Sequence, residues 1–119
     1  VYGALNGIGR IAVGPLIGNP FPDASPEFFA GMARALSSGL NHKVEIVAPF
    51  STLHKTDVIR LGTRLGVPWE HTVSCMNPVQ GTHCGRCSKC RERLQAFDAA
   101  GLCDPADYVF RPDDVSTGI

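Results

Sequence analysis

The stretch Ser74–Cys90, SCMNPVQGTHCGRCSKC, decides how this chain is read. Eight residues separate Cys75 from Cys84, and Cys84, Cys87 and Cys90 then follow with two residues between each pair. A tetrahedral metal such as zinc takes four sulfur or nitrogen ligands, with sulfur about 2.3 Å from the ion. A Cys-x-x-Cys turn, relieved of backbone crowding by Gly85, aims two thiolates at one point. The next turn reuses Cys87, and the segment Met76–His83 carries Cys75 back as a fourth ligand. Tight runs of this kind also hold iron–sulfur clusters. Disulfides are a third reading, although nothing in the composition suggests an oxidising compartment. Structural zinc on Cys75, Cys84, Cys87 and Cys90 is the preferred assignment. Four protein ligands leave no open position for water, so such a site holds structure together and does no chemistry. His83 could replace a ligand but is read as lying beside a filled shell, or in solvent. Arg86, Lys89, Arg91 and Arg93 are expected to offset the negative charge of four thiolates on one divalent ion.

With 119 residues the chain is one domain or part of one. A hydrophobic fraction of 44 % allows a modest core, and eleven basic residues balance eleven acidic ones. No overall field therefore draws the chain to nucleic acid or to a membrane surface. No apolar run approaches the ~20 residues that span a bilayer, and the opening VYGALNGIGRIAVGPL, with Arg10 inside it, reads as folded structure instead of a secretory signal. Cysteine usage fits a reducing cytoplasm. Cys103, outside the metal pattern, is expected to be a partly buried thiol.

The rest of the chain alternates helix and strand. Val1–Gly7 reads as a helix end stopped by Asn6-Gly7. Arg10–Pro15 reads as a short buried strand, and Leu16–Ser25, rich in proline and glycine, as loop. Ser25 as cap, Pro26 at the first helical position and Glu27 in the first turn open a helix whose apolar stripe is expected at Phe28, Met32, Leu36 and Leu40. Val44–Ala48 reads as a second strand. Ser51 or Thr52 is expected to cap the next helix, with Val58, Leu61, Gly62 and Leu65 on one face and Gly66 as its end. A last helix presents Cys90, Leu94 and Phe97 and stops at Gly101, and the tail from Cys103 reads as loop. This order is α/β and implies parallel strands with crossover helices. Two strands are too few for a sheet that needs both faces covered, so further strands are expected from sequence preceding Val1.

Three stretches resemble the 7-cyano-7-deazaguanine synthases of queuosine biosynthesis, within the larger group of PP-loop ATP pyrophosphatases. Ser74-Cys75 through Cys84, Gly85, Cys87, Cys90 and Arg93 follow that family's zinc pattern. Phe21–Phe28, FPDASPEF, is similar to its Tyr-Pro-Asp-Cys-Arg-Pro-Glu-Phe loop. Leu53–Pro68, LHKTDVIRLGTRLGVP, looks like the lysine-to-Leu-Gly helix shared by PP-loop enzymes. The resemblance implies the C-terminal part of an adenine-nucleotide α-hydrolase-like, Rossmann-like parallel-sheet fold, followed by a zinc-binding loop and helix. Residues 1–72 would be the α/β part with the substrate loop, and 73–119 the zinc-binding region and tail.

The activity implied is ATP-dependent conversion of 7-carboxy-7-deazaguanine and ammonia to 7-cyano-7-deazaguanine. ATP and Mg2+ would be used by the full-length enzyme, and Zn2+ would be structural. The resemblance places Lys55 near the ATP phosphates or the developing acyl-adenylate. Asp23 would meet the guanine-like edge of the substrate, with Glu27, Gly18 and Asn19 shaping the same pocket. Arg93 would lie behind the zinc ligands. His54 and His71 read as surface residues. The family's Cys-Arg is Ala24-Ser25 here, which removes a cation from the substrate loop. The Ser-Gly-Gly-x-Asp-Ser phosphate loop is absent from residues 1–119, so its partner would be an N-terminal part bearing that loop, and this chain alone is not expected to hydrolyse ATP. A homodimer is compatible with this reading. Another PP-loop ligase, for example a tRNA-modifying one, and a non-enzymatic zinc module for nucleic acid or protein are the alternatives. Glu92 breaks the basic run and no aromatic residue is interleaved with it, which speaks against nucleic acid.

Overall fold

Helix and strand alternate through the first half of the chain, in a computed structural model that describes residues 1–111. One turn of helix, α1 (Tyr2–Leu5), ends at Gly7 with φ of 68°. Strand β1 (Arg10–Ala12) follows, then a 3-10 turn at Pro22–Ala24, helix α2 (Pro26–Leu40) and strand β2 (Glu45–Val47). The two strands pair in parallel with Arg10 opposite Glu45, Ile11 opposite Ile46 and Ala12 opposite Val47. The amide of Glu45 donates to the Gly9 carbonyl at 2.7 Å, and that of Val13 to Val47 at 2.9 Å. The strand expected over Arg10–Pro15 is thus shorter, because Gly14-Pro15 supplies little to a ladder.

The start of α2 follows from its first residues. Ser25 Oγ accepts the Phe28 amide at 3.1 Å, Pro26 stands at the first helical position, and Glu27 lies in the first turn. The helix ends at Asn41, whose φ of 47° is left-handed, a conformation asparagine tolerates better than most side chains. Ser37 ties the helix to β2: its hydroxyl accepts the Val44 amide at 2.9 Å and donates to the Ala33 carbonyl at 2.7 Å. The apolar stripe differs from expectation. Phe28 and Met32 are 40 % and 39 % exposed, while Phe29, Ala33, Leu36, Ser37 and Leu40 turn inward. A step of four residues overshoots one turn by about 40°, so a strict four-residue spacing winds off the buried face within three steps.

The described residues fall into two compact units, Val1–His54 and the part of Lys55–Ile119 up to Arg111. Helices α3 (Lys55–Arg64) and α4 (Ser88–Ala99) belong to the second. Helix α3 begins later than Ser51 or Thr52, because those residues are taken up in tight turns in which Ser51 donates to Ala48 and Leu53 to Phe50. Its buried positions are Ile59 and Gly62, and Leu65 is 74 % exposed. Ile59, Ala96 and Phe97 form the core, with Trp69 and Ala100 packed against it. Trp69 meets Phe97 edge-on, with ring centroids 5.5 Å apart and planes at 85°. Gly62 makes this packing feasible: a Cβ there would stand 2.7 Å from Trp69 Cη2 and nearer still to Cζ2. Arg60 closes the pair of helices by donating to the Ala99 carbonyl at 3.0 Å.

The segment after α4 is loop, as expected, but a partly buried one. Asp104 and Ala106 are 2 % and 4 % exposed, so this stretch is anchored. Cys103, expected to be partly buried, is exposed. No helix among the described residues is long and apolar enough to cross a membrane.

Candidate metal centre

The four cysteines of the opening stretch are brought to one place by two short backbone devices. The first is a two-residue hairpin. Val79 and Thr82 exchange amide–carbonyl bonds of 2.9 Å, and Gln80 and Gly81 between them have φ of 49° and 83°. Positive φ at both central positions marks the turn type whose twist suits a tight antiparallel hairpin. That reversal returns the chain from Cys75 to Cys84. The second is the knuckle Cys84–Cys87, in which the amides of Arg86 and Cys87 both donate to Cys84 Sγ at 3.4 Å. Gly85 has φ of 75°, and the Phe110 carbonyl occupies the place a Cβ would take. Glycine is thus required there twice over, by backbone conformation and by contact.

Cys75 Sγ accepts the amides of Asn77 and Cys84 at 3.3 Å, and Cys87 Sγ caps α4 by accepting the Cys90 amide at 3.4 Å. Amides aimed at sulfur stabilise the thiolate over the thiol. Those of Met76 and Cys90 bring Cys87 down to about 6, and those of Arg86 and Cys87 lower Cys84. Burial pushes the Cys90 thiol up to about 12.

All four sulfurs lie within 4.8 Å of one another and could hold a metal ion. Cys87 Sγ is 3.5 Å from Cys90 Sγ and 3.9 Å from Cys75 Sγ. Sulfurs placed tetrahedrally at about 2.3 Å from a single ion stand about 3.8 Å apart, so the donor set fits one ion. These separations exceed the ~2.05 Å of a sulfur–sulfur bond, and all four thiols are free.

His83, which adjoins Cys84, is buried at 3 % exposure and faces away from solvent. Its Nε2 accepts the Ser74 amide at 3.1 Å, its backbone pairs with Asp107 and Val109, and its ring lies 4.9 Å from that of Tyr108. Burial and the Arg93 charge lower its pKa, so it stays neutral as an acceptor must. It therefore fastens residues 107–109 to the metal loop.

Arg93, expected behind the ligands, shares the buried face of α4 with Cys90. It is 3 % exposed, and its guanidinium grips the Asp104 carboxylate in two bonds of 2.6 and 2.9 Å. It donates further to the carbonyls of Trp69 and Thr72 and to Thr72 Oγ1. Burial alone would raise Asp104, but bonds from Arg93, Tyr108 and the Ala106 amide hold its carboxyl below the ordinary carboxylate value. Burial and Asp104 together push the Tyr108 phenol up. The other basic residues of the run are dispersed. Lys89 pairs with Glu92 at 3.0 Å, and Arg86 lies 4.9 Å over the Phe110 ring. The Asp104–Tyr108 anchor carried no periodic signal, and its one legible trace was the pair Asp104-Pro105, which reads as turn.

The remaining expected site residues are placed as follows. Lys55 is the first residue of α3, and its Nζ stands 3.6 Å from Glu92. Gly18, with φ of 76°, and Asn19 make a turn in which Asn19 Oδ1 accepts the Phe21 amide at 3.0 Å. Asp23 and Glu27 are exposed on either side of Ser25. The same stretch borders a hollow of about 270 Å³ lined by Ala24, Pro26, Phe29, Ala30, Ile46 and Ser51 among others.

A chain with this strand pairing and a four-thiol loop of this spacing is an α/β protein with a candidate metal centre. Residues 2–101 match the family of the queuosine biosynthesis protein QueC, and the chain belongs to that family. It is 44 % identical over 108 residues to a 7-cyano-7-deazaguanine synthase of Thermosynechococcus vestitus, covering 87 % of this chain and 46 % of that protein. It is 41 % identical over 93 residues to the synthase of Methanopyrus kandleri, covering 75 % and 41 %. The synthase of Anaeromyxobacter dehalogenans is 40 % identical over 94 residues, covering 75 % and 40 %. The chain thus spans less than half the length of these curated relatives.

Proposed function

We propose that this chain is the zinc-bearing, substrate-side part of an enzyme that makes 7-cyano-7-deazaguanine from 7-carboxy-7-deazaguanine, ammonia and ATP. The observation that carries this reading is the four-thiol cluster, spaced as in the family and set in a chain that matches the family over residues 2–101. The metal is zinc and structural. Four sulfurs within 4.8 Å suit a single ion, whereas a cluster spreads its cysteines over several irons. The bound ion supplies a cross-link that a short loop with exposed Met76 and Val79 could not supply by packing.

A carboxylate resists attack by ammonia because its leaving group would be oxide. Transfer of AMP from ATP to the carboxylate releases pyrophosphate and creates a good leaving group. Ammonia then displaces AMP to give the amide, and a second adenylation of the amide oxygen lets AMP depart as the nitrile forms. In this scheme Lys55 faces the phosphates or the developing acyl-adenylate charge. Asp23 accepts N–H donors of the base, and Glu27, Gly18 and Asn19 shape the pocket. The hollow beside Ala24 and Pro26 supports that placement, since it lies at the end of β2 from which the chain runs on to Ser51, the usual side for ligands in open parallel sheets. Residues 1–72 serve as the α/β part and 73–119 as the metal-bearing part. ATP, with Mg2+, would be held by an N-terminal part carrying the phosphate loop, in a cytoplasmic enzyme that could act as a homodimer.

The test is turnover by the full-length gene product. Release of AMP and pyrophosphate that depends on both 7-carboxy-7-deazaguanine and ammonia, with nitrile detected by mass spectrometry, is expected. Absence of nitrile from a zinc-loaded, folded protein would overturn the reading. Elemental analysis should give one zinc per chain, and stoichiometric iron would overturn the metal assignment.

A further inference from the structure

Helix α4 carries Cys90 on its buried face and borders a half-open cleft of about 590 Å³. That volume lies within the range of about 300–1,000 Å³ common for small-molecule sites. All of its lining comes from residues 91–111, none of which the synthase reading uses. Arg91 and Asp98 line it from α4, seven residues apart, which is about 10 Å along a helix axis. Neither side chain has a hydrogen bond or ion pair among the described residues. Arg111 adds a second cation, held in place by a 2.7 Å bond to the Asp104 carbonyl and by stacking 5.2 Å over the Tyr108 ring. Leu94, Phe97 and Leu102 supply apolar lining. Asp104 also lines the cleft, but its carboxylate is buried and consumed by Arg93 and Tyr108. Two guanidinium groups and one free carboxylate remain, so the cleft offers both cationic donors and an accepting carboxylate.

We infer that this cleft binds a flat, singly or doubly charged anion that also carries paired N–H donors, the chemistry of a guanine mononucleotide. A phosphate or carboxylate meets the free guanidinium of Arg91 in the bidentate geometry that arginine favours. A carboxylate accepts the two neighbouring N–H groups of a guanine edge, while an adenine edge offers one donor beside an acceptor. Apolar lining favours a rigid ring over a flexible polar chain.

The test uses the metal-loaded 119-residue chain titrated with guanosine 5′-monophosphate, guanosine, adenosine 5′-monophosphate and inorganic phosphate. Binding is read by amide NMR shifts at Leu94 and Leu102. A second readout is the fluorescence of Trp69, the one tryptophan in the chain, which packs on Phe97. The guanine mononucleotide should bind saturably and more tightly than the other three. Arg91→Ala should weaken it about tenfold and leave guanosine unchanged. Asp98→Ala should erase the preference for guanine over adenine. Both positions are exposed, so metal content and circular dichroism should be unaltered in the variants. No saturable change up to about 10 mM, weaker than any specific site, would overturn the inference. So would phosphate binding as tightly as the nucleotide, or insensitivity to either substitution.

Discussion

Replacing Asp104 by alanine tests what holds the metal-bearing unit to its C-terminal anchor. The carboxylate is 2 % exposed and receives four bonds: two from Arg93, at 2.6 and 2.9 Å, one from Tyr108 at 2.7 Å and one from the Ala106 amide at 3.1 Å. Truncation would leave the Arg93 guanidinium buried against the carbonyls of Trp69 and Thr72 without a counter-charge. Breaking a buried ion pair from one side costs about 3–5 kcal/mol. With a urea dependence near about 1.5 kcal/mol per molar, the midpoint should fall by about 2–3 M. The assay is urea unfolding of the zinc-loaded chain followed by far-UV circular dichroism. The double variant Arg93→Met with Asp104→Leu removes both charges and should recover about 2 kcal/mol or more of the loss. Asp104 also sets a pH signature. Its folded pKa lies below the ordinary 3.8, so its contribution is full above that value and disappears as pH falls through the folded value. Asp104→Asn should flatten this acid limb. A midpoint shift below about 0.5 M, or a double variant no more stable than the single, would refute the assignment of Arg93–Asp104 as the pin of this unit.

Zinc removal by a strong chelator should unfold residues 73–100, which an unchanged melting temperature and unchanged circular dichroism would contradict. Gly85→Ala should abolish stoichiometric zinc uptake, because the alanine Cβ meets the Phe110 carbonyl at a backbone angle of 75°; full zinc content in this variant would show that the tail is free to move aside. Zinc affinity should rise at least about tenfold per pH unit above pH 7, since Cys90, pushed up to about 12, must lose its proton on binding; calorimetry in buffers of different ionisation enthalpy should count at least one proton released. Gly62→Ala should lower stability by about 1–3 kcal/mol through displacement of Trp69, read as a fall in thermal midpoint with a red-shifted tryptophan emission.

The metal loop was legible because its information is local. Cysteine spacing and Gly85 together constrain a few backbone angles, and those angles converge the sulfurs whatever surrounds them. The cap of α2 was legible for the same reason: Ser25, Pro26 and Glu27 act on amides within one turn. The inward faces of α2 and α3 were read less well. Apolar residues flanked the buried positions on both helices, so spacing alone did not separate Phe29 from Phe28, or Ile59 from Leu65. The pairing of Arg93 with Asp104 was not legible, because the carboxylate comes from another segment and only the fold brings it to the guanidinium.

By itself the sequence determined the helix–strand order, the four sulfur donors and the glycine stops, each set by neighbours along the chain, and the parallel pairing, which follows from the strand–helix–strand order. Only the tertiary structure decided which face of each helix is buried, that His83 and Tyr108 stack, and that Arg93 and Asp104 join. Those outcomes depend on groups many residues apart that share a desolvated space. There, an unpaired charge or unfilled volume costs more free energy than any local preference supplies.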